Sequence, residues 1–231
     1  EVDSLYAKAN RAYANEFYSQ AIEEYQKVID SGYESAEIYF NLGNAYFKTE
    51  DYPSAILYYE KAKKLDPRDE DIAFNLQVAN SRIVDKIEPV PELFLKRWWR
   101  SFIHWFSADT WAIISVTGFI LVFVLLAFYM LSRLIRIRKV AFFTGVVVLV
   151  ITILSFVVAM NKYRIVHNEN EAIVFTPTIT VKSSPNPNSV DLFVIHEGSK
   201  VQLLDKVGNW YEIRIASGSV GWLPAESVKK I

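Results

Sequence analysis

Two apolar stretches decide how this chain folds: Trp111–Leu131, WAIISVTGFILVFVLLAFYML, and Ala141–Met160, AFFTGVVVLVITILSFVVAM. Neither contains a charged residue. A run of about 20 helical residues spans the roughly 30 Å hydrocarbon core of a bilayer. Only a helix satisfies its own backbone polar groups at that depth. The spacing therefore predicts a transmembrane hairpin. The competing reading is a pair of buried helices in a soluble core, but the rest of the chain is too small and too polar to wrap both.

The nine residues between the stretches, 132–140, hold Arg133, Arg136, Arg138 and Lys139 and no acid. By the positive-inside rule this loop is cytoplasmic, and both flanking regions lie outside the cytoplasm. Lys96, Arg97 and Arg100 before the first stretch, and Lys162 and Arg164 after the second, pull the other way. The loop is shorter and denser in charge, and it decides the orientation. In a bacterium this predicts a two-pass inner-membrane protein with periplasmic N- and C-terminal domains. Export of the N-terminal part implies a signal peptide already removed.

Working outward, the net charge of −1 conceals an asymmetry. Residues 1–95 carry 18 acidic and 10 basic side chains; residues 96–139 carry 7 basic and 1 acidic. An acidic region beside a basic collar argues against nucleic acid as the partner. With no cysteine, neither exported part is stapled by disulfides.

The N-terminal region repeats. A shift of 34 residues places Asn10 on Asn44, Tyr18 on Tyr52, Ala21 on Ala55, Ile22 on Ile56, Tyr25 on Tyr59 and Lys27 on Lys61. A second shift places Ile38-Tyr-Phe-Asn-Leu42 on Ile72-Ala-Phe-Asn-Leu76. A period of about 34 residues built of helix pairs is the tetratricopeptide (TPR) signature. Leu42-Gly43, Tyr46, Ala55, Tyr59, Ala62 and Pro67 sit at the motif spacing. Gly43 and Ala55 are small where paired helices cross, and Pro67 ends the second helix. The first repeat is looser, and the third is one capping helix over roughly 69–87. That makes about two and a half repeats in residues 1–88. About three are needed for stability, so the array is expected to lean on the membrane, a partner or another copy.

Resemblance to TPR proteins implies a protein-binding groove on the first helices of the pairs. It would be lined by Tyr6, Asn10 and Tyr13, then Phe40, Asn41, Asn44, Phe47 and Lys48, then Phe74, Asn75 and Arg82. Asparagines would hydrogen-bond an extended peptide and aromatics would seat its side chains; alternatively, Phe40 and Phe74 pack between helices. Chaperone-type TPRs grip a C-terminal carboxylate with basic residues. Tyr6, Phe74 and Val78 occupy those positions here, which argues against that ligand.

Residues 89–110 form a linker and collar. Glu88-Pro-Val-Pro91 breaks the preceding helix. Glu92–Ser107 then interleaves Trp98, Trp99, Trp105 and other apolar residues with Arg97 and Arg100. This predicts an amphipathic helix at the membrane interface, or one packed on the last repeat helix.

After a linker at 161–170, residues 171–231 change to short runs rich in Val, Ile and Thr: Ala172–Phe175, Ile179–Lys182, Lys200–Asp205, Trp210–Ile215 and Val220–Leu223. They predict a small all-β barrel. Leu192-Phe193, Glu197-Gly198, Val201-Gln-Leu-Leu204, Gly208-Asn-Trp-Tyr211, Gly221-Trp-Leu-Pro224, Val228 and Ile231 resemble a bacterial SH3 (SH3b) domain. Trp210, Trp222 and Pro224 are its candidate contact surface. Ser227 replaces the tyrosine of proline-motif binders, so the resemblance points instead to cell-wall peptides or proteins, or to a structural barrel.

No phosphate loop, metal-ligand spacing or hydrolase elbow occurs, and His104, His167 and His196 lie far apart. The expectation is a protein that is not an enzyme and has no metal or cofactor. The fold class expected is a multidomain membrane protein: all-α TPR domain, two-helix transmembrane hairpin, all-β SH3-like barrel.

The order of these parts, the wording NLGNAYF…DYPSAILYYEKAKKLDP with its NLQVAN cap, and the ending LFVIHEGSKV…NWYEIRI…GWLP resemble the Bacteroides aerotolerance (MoxR–Bat) family across nearly all 231 residues. That resemblance implies a membrane scaffold for other Bat-family proteins with von Willebrand factor A domains. It also implies a link, direct or indirect, to a MoxR-type AAA+ ATPase and a role in envelope stress or oxygen tolerance. The alternative is a sensor that binds peptidoglycan through the barrel.

Overall fold

The structure is a computed structural model describing residues 2–86, 106, 108–166 and 170–231. It divides into two compact units. One joins the N-terminal helices to the C-terminal strands, and the other holds the two long apolar helices.

Five helices open the first unit: α1 (Val2–Ala14), α2 (Tyr18–Asp30), α3 (Ala36–Lys48), α4 (Tyr52–Leu65) and α5 (Glu70–Asn80). Their starts are written locally. Ser35, Asp51 and Asp69 each accept a backbone N–H of the first turn from their side chains, which satisfies donors a helix leaves orphaned. Gly43 lets α3 and α4 cross closely: a Cβ there would lie 2.7 Å from the Tyr59 ring. In both repeats a glutamate takes the left-handed turn between the paired helices, Glu16 at φ 62° and Glu50 at φ 63°. Helix α5 is shorter than the sequence predicts. It stops at Asn80, where the Ser81 hydroxyl donates to the carbonyl of Val78 at 2.6 Å and competes for the end of the ladder.

Seven strands follow: β1 (Glu171–Val174), β2 (Thr178–Lys182), β3 (Asp191–His196), β4 (Lys200–Val207), β5 (Trp210–Ile215), β6 (Val220–Pro224) and β7 (Val228–Lys230). They pair antiparallel in the order β3-β2-β6-β5-β4-β1-β7. Strand β3 is absent from the runs read as strands. Its sequence, DLFVIH, has no polar alternation, because Leu192 and Val194 are exposed while Ile195 is buried. The barrel core holds Ala172, Val174, Val181, Ile195, Val201, Leu203, Ile213 and Leu223.

The repeat array and the barrel share a core, which the reading as separate modules did not anticipate. Ile173 and Ile231 from the barrel are buried among Ala55, Ile56, Leu57, Tyr59, Leu76 and Ala79 of α4 and α5. Consecutive residues of β1 therefore face two cores: Ala172 and Val174 point into the barrel, Ile173 into the helices. Each fully buried isoleucine contributes about 1.5–3 kcal/mol. The half repeat leans on the barrel through this shared core.

Polar contacts seal this seam. The Asp85 carboxylate accepts the main-chain N–H of His196 at 2.6 Å and the Ser199 hydroxyl at 2.7 Å, and meets His196 Nδ1 at 2.8 Å. Lys200 bridges Glu60 at 3.0 Å and Glu171 at 2.9 Å. Lys64 donates to the main-chain carbonyl of Ile231 at 2.9 Å. Gly198, at φ 84°, brings its turn so close that a Cβ would lie 2.4 Å from the Ile83 side chain.

The second unit is a pair of helices, α6 (Ala108–Leu131) and α7 (Ile135–Val166). Both are long and apolar enough to cross a membrane. Helix α7 outruns the expected 141–160 at both ends, since no proline or glycine interrupts 135–140 or 161–166. Arg136, Arg138 and Lys139 therefore ride on helix rather than loop. The contact line carries Ser115, Gly118, Thr152 and Ser155, the small and hydroxylated residues that let helices approach in lipid. Only 11 % and 17 % of the most apolar windows are buried, so most of the apolar surface faces outward. A core helix of a soluble protein would be mostly buried.

Candidate binding surfaces

The N-terminal groove is built from two repeats of one hydrogen-bonded unit. Tyr25 donates to Asn10 Oδ1 at 2.5 Å, and Tyr59, 34 residues later, donates to Asn44 Oδ1 at 2.7 Å. Burial pushes both phenols well above their ordinary value, so each remains a donor at neutral pH. Asn75 adds a second donor to Asn44 Oδ1 at 2.8 Å. In the repeat before, Asn41 donates to the Tyr6 oxygen at 3.0 Å while Tyr6 donates to Glu37 at 2.5 Å. The Glu37 carboxylate accepts only, so Tyr6 must receive from Asn41, and that orients the Asn41 amide. Burial first, and then the Glu37 contact, raises the Tyr6 phenol.

A cleft of about 270 Å³ opens over the second unit, lined by Tyr13, Asn44, Phe47, Lys48, Tyr59, Asn75 and Val78. Five of the sequence-predicted residues thus meet in one place: Tyr13, Asn44, Phe47, Lys48 and Asn75. Lys48 is the only charged side chain in that lining. Tyr6, Asn10 and Asn41 form the neighbouring network instead. Phe40 packs into the helix cores, its ring 5.9 Å from that of Tyr59. Phe74 is 64 % exposed, and Arg82 is exposed outside the cleft. Val78, at a clamp position of chaperone-type TPRs, also lines the cleft, and Tyr59 is an addition that sequence reasoning did not assign to the surface. The coincidence of Asn10/Tyr25 with Asn44/Tyr59 was the available signal for Tyr59.

On the barrel, Trp210 lies opposite Pro224, and Trp222 lies opposite Glu212 and Lys182. Because the intervening Ile213 and Leu223 point into the core, these residues share the outer face. All three candidates, Trp210, Trp222 and Pro224, are half-buried. The contacts described above between barrel and helices run through β1, Ile231 and the turn from His196 to Lys200, and leave this face out. Asp191 forms an ion pair with Lys182 at its edge. The interfacial candidates Trp98, Trp99, Trp105, Arg97 and Arg100 lie outside the described residues.

The fold and its surfaces define a class: a TPR groove and an SH3b barrel joined through one core, together with two helices able to cross a membrane. A tetratricopeptide repeat family model matches residues 6–70, and a bacterial SH3 domain model matches residues 177–229. No curated protein matches the chain. Among the described residues no group of three or more potential metal ligands occurs.

Proposed function

We propose that the chain is a non-enzymatic inner-membrane scaffold whose TPR and SH3b domains face the periplasm and hold partner proteins. The cleft at Asn44 carries this reading. Its Asn44 amide is held by the buried Tyr59 hydroxyl and by Asn75, so an extended peptide meets polar groups already fixed in place. The basic turn between the helices supports the orientation. The resemblance to the aerotolerance family supports a Bat/MoxR-type envelope complex linked to stress or oxygen tolerance, with Bat-family proteins bearing von Willebrand factor A domains as partners and a MoxR-type AAA+ ATPase linked directly or indirectly.

The test is co-purification of the intact chain in detergent from its native membrane. Lys48→Glu is expected to release the partners, since Lys48 lines the cleft, its side chain is exposed and its replacement leaves the fold intact. Partners that stay bound would refute the groove. Asn44→Ala is a poor probe, because it also strips the buried Tyr59 hydroxyl of its acceptor.

The outer face bearing Trp210 and Trp222 favours a second reading, peptidoglycan binding through the barrel. Sedimentation of the intact protein with purified peptidoglycan, lost in Trp222→Ala, would select it.

A further inference from the structure

We infer that the turn between α6 and α7 is a binding site for the headgroup of an anionic phospholipid. The inference rests on the reading of these helices as membrane-spanning.

A cavity of about 290 Å³ opens there, lined by Tyr129, Ile135, Arg138, Lys139, Phe142 and Phe143. Its lining is chemically two-sided. Arg138 and Lys139 supply charge, while Phe142 and Phe143 are 50 % and 66 % exposed beside them. The Arg138 guanidinium lies over the Tyr129 ring, 5.1 Å from its centroid, and Phe142 leans on the same ring at 6.0 Å. That stack holds one cation at the cavity and leaves its N–H edge available to a phosphate.

Charge complementarity names the occupant. Arg133 and Arg136 lie within a few residues and are exposed with the other two. No Asp or Glu occurs between Asp109 and Glu169, so the hairpin offers these four cations no carboxylate near the turn. Asp109 sits at the opposite end of α6. Cations at the end of a spanning helix lie at headgroup depth, and aromatic rings beside them lie at the boundary with the acyl chains. A lipid phosphodiester with net negative charge meets both halves of the lining at once. A free phosphate would use only the cationic half.

The experiment is native mass spectrometry of the full chain released from mixed micelles holding equal amounts of phosphatidylglycerol and phosphatidylcholine. Phosphatidylglycerol adducts are expected to dominate. Arg138→Gln and Lys139→Gln are each expected to lower that preference about fivefold. Arg164→Gln, which removes the same charge at the far end of α7, is expected to leave it unchanged. Equal retention of the two lipids would overturn the proposal; it is the outcome expected if the turn meets an acidic protein instead. An equal loss in Arg164→Gln would also overturn it, by reducing the effect to net charge. So would displacement of the adducts by inorganic phosphate alone. If the chain is recovered without detergent, the membrane reading fails and the site with it. If it needs detergent yet shows no preference, the site alone fails.

Discussion

Asp85, just beyond the last repeat helix, holds His196 of the barrel at two points: the main-chain N–H at 2.6 Å and the ring Nδ1 at 2.8 Å. The Ser199 hydroxyl adds a donor to the same carboxylate at 2.7 Å. With Ile173 and Ile231 sunk between α4 and α5, this carboxylate closes a seam that makes one body of two modules. Replacing it by Asp85→Ala strands a half-buried N–H and a hydroxyl. The expected cost is about 1–3 kcal/mol. Urea unfolding should show it as a lower midpoint for a single shared transition. An unchanged midpoint would mean the seam is held by its apolar contacts and the Lys200 and Lys64 bridges without help from Asp85.

The same seam should have an acid and an alkaline limit. Burial resists ionisation of Asp85, but hydrogen bonds from Ser199 and His196 outweigh it and hold the carboxyl below its ordinary 3.8. A depressed carboxyl stabilises the fold above its unfolded value and loses that contribution as pH falls through its folded value. The stability difference between the wild type and Asp85→Asn should therefore shrink below about pH 4. Lys200 behaves oppositely. Burial opposes its charge, yet Glu60 and Glu171 prevail and raise it above 10.5. Its contribution is complete below that value and fades as pH rises through the folded one. Lys200→Met should differ from wild type most below pH 10 and converge with it above about 10.5. Unfolding midpoints measured across pH on both variants check the two limbs separately.

Glu16 and Glu50 test the repeat itself. Each sits at positive φ, and the hydrogen bonds around them recur with the period: Phe17 N–H to the Ala12 carbonyl at 2.9 Å, Asp51 N–H to the Tyr46 carbonyl at 3.1 Å. This is a helix ending for which glycine is the usual residue. A glutamate there is strained by about 1–2 kcal/mol. Part of the gain from glycine is lost to its freer unfolded chain. Glu50→Gly should thus stabilise the array by up to about 1 kcal/mol, and Glu50→Ala should not. A thermal midpoint that falls in Glu50→Gly would show that the glutamate side chain makes a contact worth more than the strain.

Most of the architecture was legible because it is periodic. The 34-residue register placed four helices, and the uncharged runs placed the hairpin. What escaped was non-local. Asp85 lies 111 residues from His196, and nothing in either neighbourhood marks the other. Ile173 did carry a signal: Ala172-Ile-Val174 is apolar without alternation, as expected of a strand buried on both faces. Strand β3 escaped for the opposite reason, since its Leu192 and Val194 are apolar yet exposed. At the groove, the resemblance to TPR proteins pointed to Asn44 and Asn75 but not to the bond between them. The Tyr59 hydroxyl and the Asn75 amide, both directed at Asn44 Oδ1, appear only in the folded structure.

Gly118 and Thr152 should behave as a compensating pair. A Cβ on Gly118 would come within 2.3 Å of Thr152 Oγ1 but only 3.5 Å of Thr152 Cβ. The hydroxyl is meanwhile committed to the Val148 carbonyl at 2.8 Å, which limits its freedom to swing away. Gly118→Ala alone must push α6 off α7 or break that bond, at a cost of about 1–3 kcal/mol. Thr152→Ala removes the obstructing atom and leaves an ordinary methyl contact. In the double variant most of the loss should therefore return, a coupling that independent sites would not show. Resistance of the intact protein to unfolding in mixed micelles of rising denaturing-detergent content reads both steps. If the two single losses simply add, the helices do not meet at this pair.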